Sequence, residues 1–156
     1  MLNIVTAATA QDYADAGTLF REYSGLVAEA LRHQNFGDEV AALPGEYAPP
    51  GGILLLARGE GEIAAGCVAL RRLDAATGEI KRMYVRERYR GSGLGRRLAV
   101  SVIDTARRLG YARVVLDTLP KLASAIALYR DLGFGEIDPY LASPTPGALC
   151  FELRFS

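Results

Sequence analysis

The sequence predicts an α/β fold in which one mixed β-sheet carries helices on both of its faces. Short runs of aliphatic and β-branched residues alternate with three segments whose apolar residues recur at helical spacing. Half of the residues are hydrophobic and 23% are charged, so a sizeable core can be buried. The 156 residues show no internal repeat or linker. A single domain over residues 1–156 is therefore expected.

The first half of the chain predicts one helix and four strands. Ile4–Val5 begins a short strand, and Thr9 with Asp12 forms an N-cap pair for a helix that reaches about Leu31. A loose segment rich in proline and glycine follows. The remaining strands and their turns are Ile53–Arg58, a hairpin turn at Gly59–Glu62, Ile63–Arg72, a turn at Ala75–Gly78, and Glu79–Val85.

The second half alternates between helices and strands. Two amphipathic segments each end at a glycine, which is the residue that most often terminates a helix. The predicted elements are a helix over Leu94–Leu109, a strand over Ala112–Asp117, a helix over Leu122–Leu132 and a last strand over Leu149–Phe155. The complete order is β-α-β-β-β-α-β-α-β.

Composition excludes several classes of protein. The 18 basic residues balance the 18 acidic ones, which argues against a dedicated nucleic-acid binder. Cys67, Cys150 and His33 are too few to build a metal site, and both cysteines lie in apolar stretches typical of buried, reduced thiols. Met1–Val5 lacks the charged leader of a signal peptide, and the apolar run Ile53–Ala57 is too short to span a membrane. A soluble cytoplasmic protein is expected.

The most informative segment is the glycine-rich turn Arg90–Arg96, which lies between a strand and a helix. Glycines allow backbone N–H groups to approach a ligand closely, and the start of a helix favours an anion. From Glu79 to Arg97 there are seven basic residues and two acidic ones, although the whole chain is neutral. This segment predicts a binding site for a polyanion such as a phosphate ester.

Two common nucleotide motifs fail here. A P-loop needs Lys and then Ser or Thr after its last glycine, but Gly95 is followed by two arginines. A dinucleotide motif needs a third glycine, but counting from Gly91 that position is Arg96, and counting from Gly93 it is Leu98. A turn that only tightens a strand-to-helix junction does not need three glycines between arginines.

The turn resembles the phosphate loop of the GNAT superfamily of acyl-CoA N-acyltransferases. That loop reads Arg or Gln, two residues, Gly, one residue, then Gly or Ala, and Arg90, Gly93 and Gly95 match it in order. The superfamily's later motif, a helix that ends in Tyr followed by Leu-Gly-Phe, is matched by Ala125, Leu128, Tyr129, Leu132, Gly133 and Phe134. The order of elements fits over nearly the whole chain.

The resemblance implies a mostly antiparallel sheet that is splayed between its fourth and fifth strands, with an acetyl-CoA thioester in the gap. It places the CoA pyrophosphate on Arg90, Gly91, Ser92, Gly93, Leu94, Gly95 and Arg96, and the pantetheine arm beside Met83, Tyr84 and Val85. One position departs from the pattern. The superfamily often has an Asn seven residues before the tyrosine, where this chain has Leu122.

The resemblance also suggests roles in catalysis. Tyr129 would protonate the leaving sulfur, and Glu79 would accept the amine proton directly or through water, with Asp117 as the other candidate base. An alkyl ammonium has a pKa near 10.4, so the acceptor must lose a proton before it attacks. The acceptor site is expected between the first helix and residues 36–47, with Tyr84 and Tyr140 as walls. Glu22 and Tyr23 are weaker candidates for recognition of the amine.

Three functional hypotheses remain open at this stage. The first is an N-acetyltransferase that moves acetyl from acetyl-CoA to a primary amine of a small molecule, amino acid or peptide in a ternary complex. The second is an acyl-CoA-binding sensor or partner-binding module without catalysis. The third is an α/β protein that binds a mononucleotide. The acceptor and the acyl chain length stay undetermined, and an exposed last strand, Leu149–Phe155, would offer an edge for a homodimer.

Overall fold

The computed structural model describes residues 2–33, 36–59, 61 and 63–156, without the side chains of residues 28–33. Within these residues the chain forms seven strands and four α-helices. The strands are β1 (Asn3–Thr6), β2 (Ile53–Arg58), β3 (Ala64–Asp74), β4 (Thr77–Val85), β5 (Arg113–Thr118), β6 (Gly135–Ile137) and β7 (Leu149–Arg154). The helices are α1 (Ala10–His33), α2 (Phe36–Ala41), α3 (Leu94–Arg108) and α4 (Ala123–Asp131), and 3₁₀ turns occupy Gly45–Tyr47 and Glu87–Tyr89.

The predicted α/β class and element order are confirmed. The strands form one sheet in the order β1-β2-β3-β4-β5-β7-β6, and every neighbouring pair is antiparallel except β4 and β5. The prediction that Leu149–Phe155 forms an exposed edge is wrong. The strand β7 pairs with β5 along its whole length, and Cys150, Phe151 and Glu152 pair with β6 on the other side, so β7 lies inside the sheet.

Three local features differ from the sequence prediction. The loose segment after α1 contains α2 and the 3₁₀ turn Gly45–Tyr47. The helix α1 is interrupted at Val27, whose backbone angles are not helical. The strand β6 has only three residues, which is too short for an alternating pattern to reveal. The predicted hairpin turn at Gly59–Glu62 includes residues 60 and 62, which lie outside the described residues.

The start of α1 confirms the predicted N-cap pair. The backbone N–H of Asp12 donates to Oγ1 of Thr9 at 3.1 Å. In return, the backbone N–H groups of Thr9 and Ala8 donate to Oδ2 of Asp12 at 3.1 and 2.9 Å. This reciprocal pair satisfies backbone donors that the first turn of a helix leaves without internal partners.

Both faces of the central strands are buried. On one face α3 contributes Leu98 and Val102 to a core that includes Val68 of β3. On the other face α1 contributes Leu19 and Phe20 to a second core. Among the described residues, no helix combines the length and apolar character that a membrane span requires.

The sheet opens between β4 and β5. These parallel strands pair only over Thr77–Glu79 and Arg113–Val115. Farther along, β4 contains an irregularity: Cys67 pairs with Tyr84 and Ala69 pairs with Lys81, so two residues of β4 oppose one residue of β3. One of the two, Arg82, has a φ of 59°, which is rare for a residue with a side chain. Such a bulge bends its strand, and here it lies where β4 has separated from β5.

Candidate active site

The glycine-rich turn forms an open start for α3. Gly91 and Gly93 have φ values of 79° and 83°, in the left-handed region that favours glycine. Gly93 is the N-cap residue, and no side chain caps the helix there. The first backbone hydrogen bond of α3 runs from the N–H of Arg97 to the carbonyl of Gly93 at 3.1 Å. The N–H groups that precede Arg97 therefore point out of the helix start, where they can bind an anion.

The third glycine of the turn serves a different purpose from the first two. A Cβ atom at Gly91 or Gly93 would meet no heavy atom within 4 Å, so backbone angles explain these two glycines. Gly95 has ordinary helical angles, and a Cβ atom there would touch Leu128 and Val85 only at 3.8 and 3.9 Å. The protein alone therefore leaves room for a side chain at Gly95. A ligand that approaches the helix start would occupy this room.

The arginines around the turn are held in specific positions. Arg90 donates from Nε to the carbonyl of Val85 at 2.9 Å, and its guanidinium carbon lies 5.8 Å from the centre of the Tyr84 ring. Arg96 forms an exposed ion pair with Asp131 of α4. These contacts place two cations beside the open start of α3, where they add positive charge to the exposed N–H groups.

The segment Met83–Val85 borders the opening in the sheet. On one side β4 pairs with β3 through Tyr84 and Val85, but β5 pairs with β4 only as far as Glu79. Beyond Glu79, the β5-facing edge of β4 therefore has no neighbouring strand among the described residues. An extended ligand can use such an edge as an added strand would.

A crevice fills the space between the separated ends of β4 and β5. Its walls are formed by α1, β4, β5, α4 and the segment before β7. It is lined by Tyr23, Val27, Ile80, Lys81, Arg82, Met83, Leu116, Asp117, Thr118, Leu119, Leu122, Ala125, Tyr129, Thr145 and Ala148. The crevice thus contains the predicted Tyr129 and Asp117, together with Leu122, the residue that departs from the expected Asn.

Tyr129 lies at the wall of the crevice near the C-terminal end of α4. Its side chain is buried, and its ring centre lies 5.6 Å from that of Phe134. Burial raises the pKa of its phenol above the ordinary value. The hydroxyl therefore keeps its proton through the neutral range and can donate a hydrogen bond into the crevice.

A second cavity lies on the other side of Lys81. It is formed by α2, the 3₁₀ turn Gly45–Tyr47, β3 and the segment before β7. Its lining residues are Asp38, Glu39, Ala42, Pro44, Gly45, Glu46, Tyr47, Arg71, Lys81, Leu141, Ser143 and Thr145. Lys81 and Thr145 line both the crevice and the second cavity, so the two spaces lie next to each other at these residues.

Four charged side chains share one face of the sheet at this junction. Arg71 pairs with Glu79 across β3 and β4, and Lys81 follows Glu79 by two residues. Glu79 also pairs with Val115, two residues before Asp117 on β5. Because side chains alternate along a strand, all four point to the same face. Clusters of this kind are costly to bury and are concentrated at functional sites.

Glu79 is enclosed within this cluster. Its side chain has no exposed surface. One carboxylate oxygen accepts a hydrogen bond from Nε of Arg71 at 2.6 Å, and the other accepts one from the hydroxyl of Tyr140 at 2.5 Å. Glu79 lines neither the crevice nor the second cavity. The candidate base therefore contacts Arg71 and Tyr140 rather than the open space.

Burial shifts the pKa values of both Asp117 and Lys81. Burial raises the pKa of Asp117, and the nearby charge of Lys81 partly opposes this shift. Burial also lowers the pKa of Lys81, while the charge of Glu79 acts in the other direction. Lys81, Arg71 and Arg82 were not predicted from the sequence as parts of the site. Alternation along β4 places Lys81 beside Glu79 and was the available signal.

The remaining predicted residues lie at four locations. Tyr84 donates from its hydroxyl to Glu22 at 3.0 Å, and Glu22 also pairs with Arg86, so these residues form a surface network outside both cavities. Tyr23 lines the crevice. Tyr140 is bound to Glu79. Part of the predicted acceptor segment, from Asp38 to Tyr47, lines the second cavity.

Comparison with known proteins agrees with this geometry. Residues 17–134 match the model of the acetyltransferase (GNAT) family, and the chain belongs to that family. Within the family it is similar to an uncharacterized N-acetyltransferase of Schizosaccharomyces pombe, with 40% identity over 147 residues, which is 94% of this chain and 90% of the relative.

Solved structures share the fold. An acetyltransferase from Streptococcus agalactiae has a TM-score of 0.82 and 23% identity, and the match covers 99% of this chain and 98% of the other. An acetyltransferase from Bacillus anthracis, solved in complex with acetyl coenzyme A, has a TM-score of 0.62 and 21% identity over 74% of this chain and 69% of the other. These likenesses concern the fold.

Proposed function

We propose that this protein transfers an acetyl group from acetyl-CoA to a primary amine by direct attack within a ternary complex. The observation that carries the proposal is the junction at Lys81 and Thr145. There the crevice, whose lining includes Tyr129, lies next to the second cavity. Two substrates can therefore approach one another from different sides, and their alignment alone can lower the barrier by about 7–11 kcal/mol.

The residues of the turn and of β4 fit acetyl-CoA. The uncapped N-terminus of α3 and the room at Gly95 suit a pyrophosphate on Arg90–Arg96. The unpaired edge at Met83–Val85 suits the amide groups of the pantetheine arm. When bound, the cosubstrate supplies a thioester whose carbonyl carbon is open to attack. The acetyl coenzyme A in the Bacillus anthracis relative supports this choice of cosubstrate.

The reaction needs only modest help from side chains. The amine nitrogen forms a bond to the carbonyl carbon, the carbon–sulfur bond breaks, and CoA leaves as a thiolate that takes up one proton. Tyr129 lines the crevice and its phenol carries a proton at neutral pH, so we assign Tyr129 as the group that supplies that proton. A positioned acid of this kind contributes about 10²–10⁴-fold to the rate.

Two carboxylates compete for the role of the base. Asp117 lines the crevice, and its raised pKa makes it a better proton acceptor than an exposed carboxylate. Glu79 is enclosed and would reach the amine only through Tyr140 or water. We assign direct contact with the amine to Asp117 and assign to Glu79 the positioning of Arg71 and Tyr140. Glu79 as the base remains the competing prediction, which pH–rate profiles decide.

A cytoplasmic location completes the proposal. Cys67 and Cys150 are both free and buried. Unpaired thiols of this kind are typical of proteins from reducing compartments.

The test is acceptor-dependent release of CoA. Purified protein is incubated with acetyl-CoA and a panel of amines, amino acids and peptides, and free thiol is measured. Release that depends on one class of acceptor supports the transferase. Binding of acetyl-CoA without release on any acceptor contradicts catalysis and favours the non-catalytic binding module. Absence of acetyl-CoA binding contradicts the assignment of the turn.

A further inference from the structure

We infer that the acceptor amine carries a carboxylate, which the guanidinium of Arg71 binds in place of the side chain of Glu46. This inference rests on the proposed function, because it names the acceptor class for the same site. The candidate acceptors are therefore amino acids and related amino-carboxylates.

Arg71 reaches the second cavity from β3 and holds two carboxylates at once. Its Nε donates to Glu79, and its Nη1 donates to Glu46. Burial alone would lower the pKa of Arg71, but the two carboxylates raise it, so the guanidinium stays charged. A planar guanidinium offers a fork of donors that matches the shape of a carboxylate. This part of the cavity is therefore already built to bind a carboxylate.

The two partners of Arg71 differ greatly in exposure. The side chain of Glu79 is 0% exposed, whereas that of Glu46 is 70% exposed. Glu79 fixes the orientation of the guanidinium from inside the sheet. Glu46 reaches it from the 3₁₀ turn at the rim of the cavity. Because exposed ion pairs contribute little to stability, a carboxylate on the acceptor can replace Glu46 at low cost.

The neighbouring charges suit an amine that is bound in this way. Lys81 lies on the same face as Arg71 and lines the junction with the crevice. Positive charge near an amine favours its neutral form, which is the form that attacks the thioester. An acceptor whose carboxylate contacts Arg71 can direct its amine toward this junction.

Acidic residues of the second cavity point to a competing acceptor class. Asp38 and Glu46 are exposed at the cavity, and Glu39 is bound to Arg82. Exposed carboxylates at the rim would also attract a diamine or polyamine. Because these carboxylates are exposed, water and salt screen their attraction for a cation, whereas Arg71 is largely enclosed. Arg71 therefore favours an acceptor with a carboxylate over a diamine. A preference for a diamine would contradict the inference.

The test compares matched acceptors. Each of several L-amino acids is assayed beside its carboxamide and its decarboxylated amine, with putrescine as the diamine, by release of CoA from acetyl-CoA. We expect kcat/KM to favour at least one amino acid over its carboxamide by about 100-fold, because a site built around a charged donor rejects an analogue that lacks the partner group. Equal rates for acid and amide, or a preference for putrescine, would overturn the inference and leave the proposed function standing.

Two variants separate the role of Glu46 from general damage. Glu46→Gln should raise kcat/KM for the preferred amino acid by about 2- to 5-fold through a lower KM, without a gain for its carboxamide. The matched control is Asp38→Asn, which removes an exposed carboxylate of the same cavity that does not pair with Arg71, and it should leave the acid-to-amide ratio unchanged. A similar gain for acid and amide in Glu46→Gln would contradict displacement of Glu46.

Failure of the proposed function gives a different result. In that case acetyl-CoA binds, but no amine in the panel releases CoA. Calorimetry with N-acetyl amino acids and their amides then tests the carboxylate site without turnover. Binding of the acid that is tighter than that of the amide, and tighter again in Glu46→Gln, supports the inference, and equal binding rejects it.

Discussion

The guanidinium of Arg82 and the carboxylate of Glu39 form a two-point ion pair that joins the bulge of β4 to α2. Nε of Arg82 donates to Oε2 of Glu39 at 2.7 Å, and Nη2 donates to Oε1 at 2.8 Å. The Arg82 side chain is only 3% exposed. The residue with the unusual φ in β4 is thereby tied to the helix that forms one wall of the second cavity.

The first prediction concerns this ion pair. Glu39→Gln should lower the free energy of unfolding by about 1–3 kcal/mol, because it removes the charged partner of a buried guanidinium. Urea denaturation at neutral pH measures the change. The control is Asp38→Asn on the same helix, where an exposed side chain should change stability by no more than about 0.5 kcal/mol. Equal losses in both variants would show that the pair does not hold α2.

The second prediction concerns the start of α3. Gly93→Asp should weaken acetyl-CoA binding at least about 10-fold, since it places a negative charge at the expected pyrophosphate site. Isothermal titration calorimetry measures Kd. Gly110→Asp is a matched control, because Gly110 also has a positive φ and open space but follows the C-terminal end of α3. An unchanged Kd in Gly93→Asp would contradict the phosphate-loop assignment.

The third prediction concerns Tyr129. Tyr129→Phe should lower the rate of the chemical step by about 10²-fold and leave the Kd for acetyl-CoA nearly unchanged, because the ring that packs on Phe134 is retained. Rapid-quench kinetics measures that step. Tyr111→Phe serves as the control: Tyr111 is buried and donates to the carbonyl of Gly51, away from the crevice. Full chemical rate in Tyr129→Phe would rule out Tyr129 as the acid.

The fourth prediction concerns pH. A base must be ionised to act, and burial raises the pKa of Asp117. Activity should therefore be lost as the pH falls through this raised pKa, at a higher pH than the value near 3.9 of an exposed aspartate. Asp117→Asn should remove that acid limb from the profile of kcat/KM and lower the rate. If Glu79→Gln removes the limb and Asp117→Asn does not, Glu79 is the base.

Local sequence signals predicted the parts of the site that depend on a few adjacent residues. The glycines of Arg90–Arg96 predicted an open helix start, and the spacing of apolar residues predicted α3 and α4. Arg71, Arg82 and Glu39 were not predicted, because their roles depend on contacts between distant segments. Arg82 and Glu39 are separated by 43 positions in the chain. The bulge at Arg82 was equally hidden, since it arises from the register between β3 and β4 and not from β4 alone.

The false prediction of an edge strand has the same origin. The sequence predicted the strand over Leu149–Phe155, but the three residues of β6 that pair with it carry no pattern of their own. The sequence could therefore show that a strand exists without showing which strands lie beside it. Pairing is decided by the whole chain, and short elements at the margin can change it.

The short parallel contact between β4 and β5 also has a mechanical consequence. Across the described residues, the three residue pairs from Thr77 to Glu79 form the sheet's only strand-to-strand link between its two halves. A force that pulled those halves apart would act first on the contact between β4 and β5. This contact has fewer residue pairs than the antiparallel contacts β2–β3, β3–β4 and β5–β7. Pairing of β4 and β5 over more residues would strengthen the sheet and close the crevice between them. The three residue pairs between β4 and β5 therefore set both the mechanical strength of the sheet and the space that is open to substrates.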